Sequence, residues 1–296
     1  MKYVEFGRTG IQISAVTYGG IVSAGNFEGA HCPADDQKGS DHHVAWAIDR
    51  GINYFDVAPS YGDAQLQLGK SLRPYRDQVH LACKTLMRSR KGAEKELEES
   101  LKLLHTDHFD VYQLHEISNP RDIEEAFAPG GVMELMRDLK QRGIAKNIGF
   151  SAHDEDSAIR MIELFDFDSV LFPFNWLMHM SKGMGSRLLE VAKAKNMGIL
   201  CMKSLIERSW DDRERYASAF PKSWCKPIDV EDVAFGKAAM KYALSLGVHT
   251  LIPPGNFASF SFAVEHIDEC VDHPLNDADM ALLEQKLETV RGKEFF

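Results

Sequence analysis

The sequence predicts an α/β fold, specifically a (β/α)8 TIM barrel, on three observations. Eight short apolar, β-prone runs recur along the chain, helical segments separate most of them, and 296 residues suit one such barrel. The runs are Val16–Gly20, Asn53–Val57, Val79–Lys84, Val111–His115, Asn147–Ser151, Val170–Asn175, Ile199–Lys203 and Thr250–Pro253. Several are apolar throughout rather than alternating, as expected of parallel strands covered on both faces. The competing arrangement, an open doubly wound sheet, ordinarily carries a G-x-G-x-x-G turn after its first strand. The glycine-rich YGGIVSAGNFEGA at 18–30 has no such spacing.

The helices follow from apolar spacing and end signals. In Ala93–Leu104, residues Leu97, Leu101 and Leu104 share a face. In Gly131–Arg142, Val132, Leu135, Met136 and Leu139 do the same, and Gly143 follows as a C-cap. Asp229–Leu246 reads as a third helix, with Asp229 as N-cap and Gly247 as its stop. Ser40 and Asp154 read as N-caps of two more. No linker interrupts the pattern, so residues 1–296 are expected to form a single domain. Two long segments, 26–40 and 207–227, are expected near the reactive rim of the barrel. The second carries Trp210, Tyr216, Phe220 and Trp224 among mixed charges, a composition suited either to a sugar or other polar carbonyl compound or to an outer helix packing its aromatics.

Composition excludes some classes. A formal charge of −10 argues against nucleic acid or an anionic membrane as partner. No run of eighteen apolar residues occurs, so no membrane span is expected. The opening MKYVEFGRTG lacks the apolar core of a signal peptide. Cys32, Cys83, Cys201, Cys225 and Cys270 are far apart and form no CxxC, which suits a reducing, cytoplasmic setting.

In a barrel of this kind, reactive side chains come from the C-terminal strand ends and the loops that follow. That rim reads Asp56, Tyr61, Lys84, His115, Ser151, Asn175 and Lys203. Singly, each has an ordinary explanation: a turn-forming Asp, a packed Tyr, a solvent-reaching Lys, a partly buried His, a capping Ser. Together, the first four compose a proton-transfer set. A phenol of pKa about 10 is a sluggish acid near neutrality, but a neighbouring ammonium favours its ionisation. A carboxylate keeps that ammonium charged and in place, and an imidazole can orient a carbonyl oxygen or relay a proton. The phenol is then a general acid for an alkoxide forming from a carbonyl. The reaction needs a hydride, which no side chain supplies, so a nicotinamide cofactor is implied.

The stretches FGRTGIQIS, GINYFDVAPSYG, LACKT, VYQLHE, IGFSAH, CMKSL and TLIP run along nearly the whole chain, which through them resembles the aldo-keto reductase superfamily. The resemblance implies an N-terminal β-hairpin closing the barrel floor, a C-terminal extra helix, and NAD(P)-dependent reduction of an aldehyde or ketone. By the same resemblance Tyr61 is the general acid, Lys84 lowers its pKa, Asp56 supports Lys84, and His115 orients the substrate carbonyl. Ser151 would bond the nicotinamide carboxamide, Lys203 would lie near the cofactor pyrophosphate, and Asn175 would contact the cofactor or hold its loop. Met202 stands where many relatives stack an aromatic on the nicotinamide. Pro253, Gly255 and Asn256 complete the expected cofactor set.

The departures from the family pattern fall in the stretch around Asp56 and Tyr61 and on the cofactor side. Val57 replaces a Thr or Ser, Gln65 a Glu, and Leu171 a Gln, while Ala152 offers no amide contact. After the eighth strand, IPPGNFASFSFAVEH holds no Lys or Arg, where NADPH-preferring relatives present cations to the 2′-phosphate. Recognition of that phosphate would rest on neutral donors such as Asn256 and Ser259, so weak NADP preference, or use of NAD, is expected. Two other readings stay open. One is a non-catalytic nicotinamide-binding sensor or regulatory subunit on the same barrel. The other is a metal-dependent isomerase or hydrolase, for which only Asp56 and His115 on the rim are good ligands beside a repelling Lys84; no metal is expected.

Overall fold

The computed structural model describes residues 1–211 and 213–295; Asp212, inside the 207–227 segment, and Phe296 lie outside them. Eight parallel strands pair in chain order: β1 (Tyr18–Gly19), β2 (Tyr54–Asp56), β3 (His80–Thr85), β4 (Phe109–Ile117), β5 (Ala145–Ala152), β6 (Ser169–Phe172), β7 (Gly198–Met202) and β8 (Thr250–Ile252). A parallel bridge between Val16 and Leu251 brings β8 back to β1, with Thr17 N donating to Leu251 O at 2.9 Å and Leu251 N to Ala15 O at 3.0 Å. The result is the nearly closed (β/α)8 barrel the sequence implies, with helices around it.

The period of two along each strand decides which residues face inward. Tyr54, Ala82, Val111, Leu171, Leu200 and Met202 form the inner core. Their alternates Phe55, Cys83, Tyr112, Phe172 and Cys201 join the outer core with helix residues such as Leu97 and Met136. Asp56 has the parity of Tyr54, Lys84 that of Ala82, and Gln113 and His115 that of Val111. Each therefore enters the barrel interior one or two levels above an apolar floor.

That floor is sealed by the expected hairpin, Tyr3–Glu5 paired antiparallel with Gln12–Ser14. Phe6 follows its first strand and packs edge-on against Tyr54, with ring centroids 5.5 Å apart. The extra C-terminal helix is Asp277–Val290, started by a reciprocal capping box between Asn276 and Asp279. No helix among the described residues is long and apolar enough to cross a membrane.

Helix ends differ from expectation at three places. The helix read from Ala93 to Leu104 runs Arg90–Leu103, because Ser89 Oγ accepts from Gly92 N and starts it earlier. The helix read as starting at Ser40 starts at Gln37, because the Asp36 carboxylate accepts from Lys38 N and Gly39 N. Ser40 is instead buried, its hydroxyl tied to those of Ser23 and Ser71. The helix read from Asp229 runs Val233–Ser245, since Asp232 rather than Asp229 caps Phe235 N. Asp154 and Gly143 do cap as expected, Gly143 at φ 72°. The long segments are not plain loops. Residues 26–31 form a small hairpin of Asn26–Phe27 with Ala30–His31. The 207–227 segment is anchored by Ile206–Arg208 pairing with Lys226–Pro227 and carries a short helix, Glu214–Ala217.

Candidate active site

One cavity of about 310 Å³ opens at the C-terminal ends of the strands. Tyr61 and His115 line it, and Asp56 lies in its floor. Lys84 sits behind them without any exposure. Its ammonium bonds Asp56 Oδ1 and donates to Tyr61 Oη at 3.4 Å. Gln113 Nε2 donates to the other Asp56 oxygen at 2.9 Å. The carboxylate is thus held from two sides, and the phenol oxygen receives an N–H. An oxygen that accepts from Lys84 keeps its own proton for another acceptor. The Tyr61 ring stands edge-on to His115 and to Trp224, each 5.6 Å away between centroids.

Burial and charge oppose one another here. Burial alone disfavours the Lys84 ammonium, but Asp56 and the Tyr61 oxygen more than offset it, and its pKa is raised. Burial raises the Tyr61 pKa; Lys84 pulls against it, and the balance stays above the ordinary phenol value. Lys84 therefore has the expected sign of influence, while desolvation dominates in the protein without ligand. His115 is held well below the usual imidazole range by burial and then by the positive charge of Lys84, so it is neutral at physiological pH. Its Nδ1 is 3.4 Å from Ser60 Oγ.

The residues expected on the cofactor side divide into two groups. Ser151, Met202, Lys203, Pro253 and Gly255 line the cavity. Ser151 Oγ accepts from Glu116 N at 2.8 Å, which leaves its hydroxyl proton free to donate. Burial lowers the Lys203 ammonium to about 8, and this ammonium lies 4.8 Å from the Phe295 ring centroid. At Gly255 an added Cβ would come within 2.5 Å of Ile21 Cγ2, so glycine permits a close approach of the two cavity walls.

Asn175 and Asn256 do not line the cavity. Asn175 is fully buried, accepts from Met178 N to start a helix, and donates to Met202 O at 3.3 Å; it holds the loop rather than facing the cavity. Asn256 caps the helix Phe257–Asp272 by accepting from Ser259 N at 2.8 Å and donates to Ser223 Oγ at 3.1 Å. Ser259 is buried as well. Both neutral donors expected to meet a 2′-phosphate are thus engaged or covered.

Sequence reasoning missed several cavity residues. It also missed Gln113, which is buried behind the cavity against Asp56; Gln113 stands two residues before His115, and the period-two pattern of β4 would have found it. His153, adjacent to Ala152, reaches the cavity with Nε2 3.2 Å from Met202 Sδ; burial holds its pKa down at about 3. Glu116, Cys225 and Phe295 also line the cavity, and nothing local in the sequence marks them. The two long segments meet at Glu28: Trp224 Nε1 donates to Glu28 Oε1 at 2.9 Å, and Arg215 pairs with Glu28 Oε2 at 2.8 Å. Among the described residues, no three His, Cys, Asp or Glu converge as metal ligands.

This donor set fits a nicotinamide nucleotide. It offers a hydroxyl donor at Ser151, a cation at Lys203 and a close-approach glycine at Gly255, on one side of a cavity whose other side is Tyr61 and His115. Known proteins resemble the chain in sequence and in fold. A family model described as "Aldo/keto reductase family" matches residues 24–288. The aldo-keto reductase YhdN of Bacillus subtilis is 34% identical over 165 residues, 51% of this chain and 47% of that protein. The chain thus spans about half the length of that relative. The D-arabinose 1-dehydrogenase of Saccharomyces cerevisiae is 27% identical over 236 residues, 68% of each chain. The holo form of aldo-keto reductase AKR11C1 from Bacillus halodurans superposes with TM-score 0.72 at 18% identity, covering 100% of this chain and 98% of that one, a likeness of fold.

Proposed function

The chain belongs to the aldo/keto reductase family, and from that premise we propose that it is an oxidoreductase reducing a small polar aldehyde or ketone to an alcohol with a nicotinamide cofactor. The observation that carries this reading is the buried chain Asp56–Lys84–Tyr61 ending in a cavity beside a neutral His115. When bound, a reduced nicotinamide supplies the hydride that the carbonyl carbon accepts. Ser151 and Lys203 bind the cofactor, through its carboxamide and a phosphate respectively. A Ser60 hydroxyl donating to Nδ1 of His115 leaves the ring proton on Nε2, where it orients the carbonyl oxygen. Tyr61 Oη then passes its proton to the forming alkoxide, and the resulting phenolate is stabilised by the Lys84 ammonium. Trp224 packs against Tyr61 and excludes water from that proton transfer.

The mixed rim of Trp224, Glu28 and Glu116 favours a polar, hydroxylated carbonyl compound, in keeping with a sugar dehydrogenase among the relatives. For the cofactor, the helix after β8 presents no Lys or Arg, and Asn256 and Ser259 are already occupied or buried. NADH therefore serves in place of NADPH, with at most a weak preference for the phosphorylated form. The test is a panel of polar aldehydes and ketones assayed with each nucleotide, beside direct binding titrations. The expected result is turnover with a Kd for NADPH no more than about tenfold tighter than for NADH, a margin of about 1.4 kcal/mol. A much larger NADPH preference overturns the cofactor reading, and an inert panel with both nucleotides favours the sensor alternative.

A further inference from the structure

The strand that carries His115 is not regular at that point. β4 pairs with β5 in even register up to Leu114 and resumes at Ile117 with a shift, so His115 and Glu116 form a bulge. Glu116 has φ 59°, the left-handed region a glutamate rarely adopts. Such a residue persists only where the surroundings hold it, and both of its peptide groups are held. Glu116 N donates to Ser151 Oγ at 2.8 Å. Arg88 Nη2 donates to His115 O, in that same peptide group, at 2.8 Å and to Glu116 O, in the next, at 3.1 Å.

Arg88 is itself fixed. It stands between β3 and the helix Arg90–Leu103, with its side chain only 10% exposed. Its Nη1 donates to Leu86 O at 3.2 Å, and its Nε lies 3.5 Å from Asp122 Oδ1. Asp122 in turn accepts from Ser118 N at 3.0 Å and Asn119 Nδ2 at 3.1 Å. The guanidinium fork thus joins the β3 exit to the β4 exit, and three peptide carbonyls receive it, Leu86 O on one side and His115 O and Glu116 O on the other. Bulges beside reactive sites commonly re-aim a side chain, and this one carries the imidazole that stands edge-on to Tyr61.

The geometry points to Arg88 as a positioning residue: with Ser151 it holds the His115–Glu116 bulge and so aims the His115 imidazole at Tyr61. This rests on the role given to His115 above. Arg88 touches neither Tyr61 nor the cavity, so its action is through His115. Its charge adds to the same end. The groups that act on His115 are Ser60 and Tyr61 after β2, Lys84 on β3, His153 after β5, Lys203 after β7 and Arg88; four of them are bases that oppose its protonation.

Two variants separate fork from charge. Arg88→Met removes both: kcat is expected to fall roughly 10- to 100-fold, as for a small misplacement of a reacting group, with cofactor Kd changed less than about twofold. The His115 imidazole resonances of the ligand-free protein move, and the ring protonates at higher pH than in wild type. Arg88→Lys keeps the charge without the fork, so kcat falls while the imidazole titration stays near wild type. Adding Glu116→Gly to either variant regains part of kcat, because glycine adopts the left-handed backbone without the brace. Wild-type kcat and unmoved His115 resonances in folded Arg88→Lys or Arg88→Met overturn the proposal. If the wild-type protein reduces no carbonyl, the reading of its function fails, and the His115 resonances alone decide the brace. If Arg88→Met does not fold, Arg88→Lys decides it by the same two readouts.

Discussion

Tyr61→Phe is expected to lower kcat for carbonyl reduction by roughly 100- to 10,000-fold, the range for loss of a positioned general acid, while leaving the fold and cofactor binding nearly intact. The ring's surroundings are apolar or edge-on contacts with His115 and Trp224, which phenylalanine keeps. What is lost is one oxygen, the acceptor of the Lys84 N–H at 3.4 Å. Lys84 retains Asp56 as partner, so no buried charge is stranded. The stability cost is that of a single hydrogen bond, on the order of 1 kcal/mol. Steady-state rates, a nucleotide titration and a denaturant curve on the same preparation separate these effects. A variant that keeps most of the wild-type rate removes Tyr61 from the chemistry.

Lys84→Met is expected to be the most damaging single change to the fold among the site residues. Lys84 has no exposure, and Asp56 is 2% exposed. Removing the ammonium leaves the carboxylate in the barrel interior with only the Gln113 amide as donor. Breaking a buried pair in this way costs about 3–5 kcal/mol, because the remaining charge is uncompensated. Asp56 then takes up a proton more readily, so the loss of stability deepens as pH rises above the usual carboxylate range. Adding Asp56→Asn removes the stranded charge, and the double variant should recover part of the loss. Denaturant unfolding of both variants against wild type measures this. A Lys84→Met protein as stable as wild type would mean that the pair is not the buried ion pair described. Catalytically, the same variant loses the cation that stabilises the phenolate, and its rate falls at least into the range of Tyr61→Phe.

The architecture was legible because a barrel repeats itself. Eight covered strands leave eight apolar runs, and the rim follows from where each run stops. Asp56, Lys84 and His115 could be placed because strand ends carry few polar residues without reason. Helix starts were less legible: Ser40 and Asp229 are good capping types, but Asp36 and Asp232 lie nearby and win by geometry. Asn175 and Asn256 show the same ambiguity at the site. Each stands at a strand exit, as a cofactor ligand would, and each is consumed in capping a helix. Glu28, Glu116, Trp224 and Phe295 reach the cavity from segments far apart in the chain, so no local pattern unites them. The bulge at Glu116 is visible only as a break in register between β4 and β5.

The central claim is that this cavity couples a nicotinamide to a carbonyl through Tyr61. The most direct measurement uses reduced nicotinamide carrying deuterium at the transferring carbon, a polar aldehyde or ketone turned over in ordinary water, and mass analysis of the alcohol. The account predicts one deuterium per alcohol, on the carbinol carbon, and product formation suppressed in Tyr61→Phe. Alcohol formed without deuterium at that carbon, or formed equally well by Tyr61→Phe, would contradict it.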